Sequence, residues 1–232
     1  MATELEADAA RALGAVAVSD PLALPGGASR ALWSFDARLP DGGEVPLVLL
    51  VTKGTAEREW DALRAANAHG VPVAEPLWRT ADGEGLVMRR LEGEAISRRI
   101  FRDQRFAGAR ERLLPELAVA LAAIHAIPPA AAPAVPVRAG AVAELDAIEA
   151  ELDALGDPHP ALELGLRLLR REAPPARATA LVHGDFRIGN LLVDECGLGA
   201  VLDWEQVHGG DPVEDLGWLC ARTWRFGRDQ LP

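Results

Sequence analysis

His183-Gly184-Asp185-Phe186-Arg187-Ile188-Gly189-Asn190, followed by Leu202-Asp203-Trp204-Glu205, is the stretch on which the fold of this 232-residue chain turns. Short apolar runs surround it, at Ala180 to Val182, Leu191 to Asp194 and Ala200 to Leu202, each of a length and composition that suits a strand. Cys196-Gly197-Leu198-Gly199 is expected to be the hairpin turn between the last two. With equally likely residues, a His-Gly-Asp with Asn five beyond the Asp would arise by chance in roughly one chain in a thousand of this length. The weight therefore rests on its combination with Asp203 and the residues that follow.

Before the motif the chain reads as helical. Leu113, Leu117, Leu121 and Ile124 form an apolar stripe, with Pro115 expected to kink that helix or begin a new one. Pro128 to Pro136 is expected to be a surface loop, and helices follow near Val142 to Leu155 and Ala161 to Arg171. The first part of the chain is strand-rich. A short helix over residues 3 to 13 precedes the turn Leu24-Pro25-Gly26-Gly27-Ala28-Ser29, and strands are expected at Ala31 to Leu39, Val45 to Val51, Val73 to Trp78 and Gly85 to Met88. One helix, Thr55 to His69, carries Trp60, Leu63 and Ala66 at helical spacing and ends at Gly70. The expected fold is α+β: an antiparallel sheet with a helix over residues 1–91, and a mainly helical part over 92–232.

Phosphoryl transfer to an alcohol needs a carboxylate near the attacking hydroxyl, hard oxygen ligands for magnesium, and donors that neutralise phosphate. Asp185 suits the first role, while Asn190 and Asp203 suit the second. The flanking residues have plainer readings. Asp211, before Pro212, is placed to cap a helix. Asp215 can buttress the backbone of the motif loop, and Glu205 is either a support for the metal site or a solvated charge. His183 reads as an anchor of its loop, and His125 as a satisfied core histidine.

Composition sets the outer limits. A formal net charge of -11 and a pI near 4.9 argue against binding nucleic acid or an anionic membrane, both of which call for basic patches. Two cysteines, Cys196 and Cys220, provide neither a disulfide framework nor a metal cluster. The first residues do not read as a signal peptide, and no apolar run reaches membrane-spanning length, so a cytoplasmic protein is expected.

Taken together, the motif residues resemble the aminoglycoside phosphotransferase family, a branch of the two-lobed protein-kinase-like fold. The run through Asp203-Trp204-Glu205, Gly210-Asp211-Pro212 and Asp215-Leu216-Gly217-Trp218 is similar, more narrowly, to bacterial phosphotransferase-like proteins related to kinase domains fused to acyl-CoA dehydrogenases. The resemblance implies that Asp185 is the catalytic base and that Asn190 and Asp203 hold Mg2+. It implies ATP or GTP as phosphoryl donor and a small-molecule hydroxyl as acceptor. It also implies a glycine-containing turn over the phosphates, to which Ser29 and Arg30 belong, with Glu59 holding a strand cation. Relatives place that cation at a position matching Leu50 or Val51, both apolar here. Lys53, the chain's single lysine, and Arg30 are the candidate replacements. The purine is expected against the segment Met88 to Leu91, which includes Arg90. Against the family pattern, the chain stops at Pro232 before several further helices, so a shortened second lobe is expected. A nucleotide-binding pseudoenzyme, motivated by Leu50 and that early stop, is the alternative reading.

Overall fold

Alternation along Leu47-Val48-Leu49-Leu50 is what organises the first half of the molecule. In the computed structural model, which describes residues 2–24, 30–52, 56–175 and 179–225, this segment lies in strand β4 (Glu44–Val51) of a six-stranded antiparallel sheet. Leu47 and Leu49 point to one face, where they meet Phe35, Val87 and Trp78 under helix α1 (Ala2–Leu13), which contributes Leu5 and Ala9 at i, i+4 spacing. Leu50 points to the other face and joins the larger core, which runs on into the second half.

The sheet order is β1 (Ala17–Val18), β3 (Ala31–Arg38), β4, β6 (Gly85–Arg89), β5 (Pro76–Arg79), with β2 (Leu22–Leu24) also paired to β3. The β3–β4 register sets Ala31 opposite Val51 and Leu32 opposite Leu50. Helix α2 (Glu57–Ala68) buries Glu59, Ala62, Leu63 and Ala66 on one face and stops at Gly70, whose φ of 75° suits glycine alone.

The second part is mainly helical: α3 (Ser97–Arg102), α4 (Ala107–His125), α5 (Ala141–Leu155), α6 (Pro160–Glu172) and α7 (Val213–Leu219). The stripe Leu113, Leu117, Leu121, Ile124 is buried as its spacing requires. Of the two expectations for Pro115, the start of a new helix is excluded, because α4 runs through it. Its neighbours Leu114 and Val119 are exposed, so the proline costs its hydrogen bond while burial of the opposite face holds the helix together.

One expectation is refined and another corrected. The Pro- and Ala-rich stretch Pro128 to Pro136 is a mainly exposed loop, as expected, but it is pinned to the body: Ala132 and Val135 are core residues, Ala134 N–H donates to Asp61 Oδ2 at 3.0 Å, and Gly209 N–H donates to Pro136 O at 2.8 Å. The motif hairpin joins β8 (Leu191–Val193) to β9 (Leu198–Val201), but its turn is Asp194 to Gly197. Asp194 Oδ1 accepts the N–H groups of Cys196 and Gly197, so the aspartate side chain draws the turn two residues earlier than its glycines suggest. A further short pair, β7 (Ala180–Val182) with β10 (His208–Gly210), flanks the motif. Among the described residues, no helix is long and apolar enough to cross a membrane.

Candidate active site

Three strand ends and one helix converge on the motif. Leaving β7 at Val182, the chain must turn sharply at Gly184, where φ is 80° and a Cβ would stand 2.5 Å from Gln206 O. Only glycine fits both conditions. His183 is fully buried against Trp204 and Phe186, with ring centroids 4.8 and 5.9 Å away. Its Nε2–H donates to Leu202 O at 3.0 Å, which leaves Nδ1 to accept the Asp185 N–H at 3.2 Å. Burial pushes the His183 pKa down, so the ring is a neutral strut between the two motif segments.

Asp215, on α7 and wholly buried, completes the support. Its carboxylate accepts the N–H groups of His183 (3.0 Å) and Gly184 (2.9 Å), and His125 Nε2–H at 2.9 Å. His125 therefore does more than fill the core, because it fixes the carboxylate that fixes the loop. At the start of α7, Asp211 Oδ1 accepts the Val213 N–H at 3.0 Å.

Asp185 is held by side-chain donors on both oxygens. Asn190 Nδ2 donates to Oδ2 at 2.6 Å and to the Asp185 backbone carbonyl at 3.0 Å. Trp218 Nε1 donates to Oδ1 at 2.5 Å, and Arg187 Nε at 3.0 Å. Spending the Asn190 amide nitrogen on Asp185 assigns the amide oxygen to any ligand. Leu202 N–H donates to Asn190 O at 2.8 Å, tying the metal-ligand candidates Asn190 and Asp203 to neighbouring segments. Asp203 has a φ of 66°, the only positive value among the described non-glycine residues, and this turns its carboxylate toward the cleft. A carboxylate oxygen and an amide oxygen form the hard donor set that suits magnesium. The residues present therefore fit that ion.

Sequence reasoning missed Arg187, Trp218 and Trp224. The Arg187 guanidinium lies over the Trp224 ring at 4.6 Å, and the two indoles meet edge to face at 5.2 Å. One signal was present: Trp218 stands three residues after Asp215, hence on the same helix face.

At the phosphate end, Leu50 is 7% exposed and faces the cleft beside its cross-strand partner Leu32. Of the two candidate replacement cations, Arg30, just before β3, is the one among the described residues, and it pairs with Glu59. Its Nη1 donates to Glu59 Oε1 at 2.5 Å, its Nη2 bonds Asp203 Oδ1, and its Nε lies 3.4 Å from Glu205 Oε2. Glu205 is thus engaged with the same guanidinium, and Arg58 bonds its backbone carbonyl. Burial raises the Glu59 pKa, and Arg30 opposes that rise only in part. Ser29 and Lys53 lie outside the described residues.

A cleft of about 660 Å³ is lined by Arg30, Leu50, Glu59, Met88, Asp185, Asn190 and Asp203, so most of the residues singled out in the sequence share one space. Arg90 does not share it. Its N–H donates to Pro46 O at 2.9 Å and its guanidinium to Asp36 at 2.8 Å, because the chain continues the β4 ladder for one residue past β6.

Comparison with known proteins agrees with this geometry. The model of the phosphotransferase enzyme family matches residues 45–232. Acyl-CoA dehydrogenase family member 11 of Gallus gallus is 31% identical over 185 residues, which make up 73% of this chain and 23% of the relative. The chain thus spans about a quarter or less of the length of the curated relatives it matches. Among solved structures, the macrolide 2'-phosphotransferase MphH of Brachybacterium faecium superposes with a TM-score of 0.59 at 23% identity, covering 93% of this chain and 75% of its own. The aminoglycoside phosphotransferase APH(4)-Ia, in ternary complex with ADP and hygromycin B, gives a TM-score of 0.63 at 18% identity with the same coverage. These likenesses establish a kinase-like α+β fold, with the antiparallel sheet N-terminal and the helices C-terminal.

Proposed function

The chain belongs to the phosphotransferase enzyme family, and from that premise we propose that it is a magnesium-dependent small-molecule kinase that moves the γ-phosphoryl of ATP or GTP to a hydroxyl. The observation that carries the reading is the joint placement of Asp185, Asn190 and Asp203 around one cleft whose far wall holds the Arg30–Glu59 pair. In this reading Asp185 takes the proton of the attacking hydroxyl, and the donors Trp218 and Arg187 keep its carboxylate aimed. Asn190, through its amide oxygen, and Asp203 hold Mg2+, which when bound neutralises the phosphate oxygens. Arg30 steadies the phosphates, and Glu59 positions Arg30. Leu32, Leu50 and Met88 offer apolar walls to the purine. ADP and hygromycin B in the APH(4)-Ia complex support a nucleotide and a hydroxylated acceptor as ligands of this architecture.

We divide the chain after Leu91 into a nucleotide-covering part and a catalytic part, and assign it to the cytoplasm because two cysteines in 232 residues make no disulfide framework. The pseudoenzyme reading rested on Leu50 and on the early stop, and its first ground weakens with Arg30 paired to Glu59. The test is Asp185→Asn in a kinase assay over a library of hydroxylated acceptors, alongside thermal-shift titrations with ATP, GTP and magnesium. Turnover should fall by about two to four orders of magnitude with nucleotide affinity retained. Unchanged turnover refutes the assignment of the base. Nucleotide binding by the wild type without transfer to any acceptor favours the pseudoenzyme.

A further inference from the structure

Away from the cleft, three metal-ligating side chains converge from three elements: Glu144 of α5, His208 of β10 and Glu214 of α7. One ligand atom from each lies within 4.8 Å of the others. His208 is the buried member, with its side chain 3% exposed. Its Nδ1 is 2.9 Å from Gln206 O, and a carbonyl can only accept, so Nδ1 carries the hydrogen. In the neutral ring, Nε2 then presents a lone pair. That lone pair faces Glu214 Oε2 at 3.0 Å and Glu144 Oε2 at 3.6 Å, both of which are acceptors too. With the ring neutral, three electron-pair donors thus point at one another, an arrangement that either a proton on Nε2 or a metal ion among them relieves.

We propose that Glu144, His208 and Glu214 form a metal site for a zinc-class divalent cation, separate from the magnesium ligands of the cleft. Four-coordinate zinc with ligands at about 2.0–2.1 Å sets neighbouring donor atoms about 3.3 Å apart, a value that the two His208 distances bracket. An imidazole in the set favours zinc, nickel or copper over magnesium, which prefers oxygen alone. The surroundings have the form of an outer shell. The His208 Nδ1–H rests on a backbone carbonyl, and Arg138 Nη1 donates to both Glu144 oxygens at 3.0 and 3.2 Å.

The rival cation is a proton on Nε2. Burial works against charge on His208, yet its hydrogen bonds to Glu214 and Gln206 and the two carboxylates raise its pKa above the ordinary value. Proton and metal compete for the same lone pair, so the two readings separate by titration. A bound ion would join α5, β10 and α7, and α7 carries the Asp215 that holds the His183-Gly184 turn. Occupancy would therefore stiffen the motif loop from behind.

The test uses the full chain, stripped with chelator and then held in excess magnesium so that the cleft ligands are satisfied. Zinc chloride is titrated by calorimetry and thermal shift, and cobalt(II) by visible absorption. One zinc per chain should bind with a dissociation constant below about 10 μM at neutral pH, raise the melting temperature, and weaken at least tenfold per pH unit below about pH 6. His208→Gln and, as a milder variant at a half-exposed position, Glu214→Gln should each weaken binding by at least about tenfold, while Asp203→Asn should not. The proposal is overturned by zinc binding weaker than about 100 μM in the wild type, or by binding that survives His208→Gln and vanishes in Asp203→Asn. None of these readouts depends on phosphoryl transfer.

Discussion

Replacing Arg30 by methionine keeps the length of the side chain and removes the charge at which Glu59, Asp203 and Glu205 meet. Arg30 and Glu59 are 12% and 9% exposed at the side chain, so their pair is close to the buried class, in which loss of one partner costs roughly 3–5 kcal/mol. Asp203 and Glu205 are about a third exposed, and water screens much of what they lose. Protonation of Glu59 offsets part of the remainder, which leaves an expected loss of about 2–4 kcal/mol. For a chain of this size that corresponds to a fall in melting temperature of roughly 4–16 °C.

The pH dependence of that loss is the sharper readout. The Glu59 carboxyl already titrates above its ordinary value because burial outweighs Arg30, and deleting Arg30 removes the main opposing influence. The folded variant then binds a proton that the unfolded chain does not hold until lower pH. Its stability therefore rises, relative to wild type, as pH falls from the alkaline side through the raised Glu59 pKa. Calorimetric melting of both proteins across that range measures the difference directly. Magnesium should also recover more of the loss in the variant than it adds to the wild type, since it supplies a counterion at Asp203. A melting deficit that stays constant with pH, or no deficit at all, would refute the reasoning.

Two further outcomes follow from the loop geometry. Gly184→Ala combines a left-handed φ with a Cβ 2.5 Å from Gln206 O, so it should destabilise the fold by about 2–5 kcal/mol in chemical denaturation. It should also lower turnover by displacing Asp185. Asp215→Ala leaves the His183 and Gly184 N–H groups and His125 Nε2–H without their acceptor, at a cost of about 3–5 kcal/mol, with hydrogen exchange accelerated at residues 183 and 184.

What could be read from sequence was what repeats or alternates. The apolar run from Val45 to Val51 and the stripe from Leu113 to Ile124 report burial directly; the first is strand β4 and the second is buried on one face of α4. Asp185, Asn190 and Asp203 were legible because they sit at fixed offsets in one short stretch, although only the fold brings them to Arg30 and Glu59. Trp218 and Trp224 were not, because they reach Asp185 and Arg187 only when the segment from α7 onward folds back over the loop, a long-range contact without local periodicity, whereas Arg187 contacts Asp185 from two residues away within the motif itself. For Pro115 the sequence left two outcomes open: propensity weighs the missing hydrogen bond, whereas tertiary burial of the opposite face carries α4 through the proline and excludes a new helix there. The Pro- and Ala-rich stretch was legible as a surface loop, but not the two small side chains, Ala132 and Val135, with which it seals the core.

The guanidinium at the edge of β3 carries a wider lesson about reading loss of function from alignments. An antiparallel ladder sets neighbouring strands about 5 Å apart, less than the reach of an arginine, so a charge demanded at one point in space can be supplied from either strand. Under the proposed role of Arg30, relocation of that kind would leave a hydrophobic residue in the column where a cation is sought and an arginine in another. Two genotypes then encode one electrostatic arrangement. Counting residues column by column would file such a chain among the inert members of its group, whereas asking which side chain neutralises Glu59 keeps it among the candidates for catalysis.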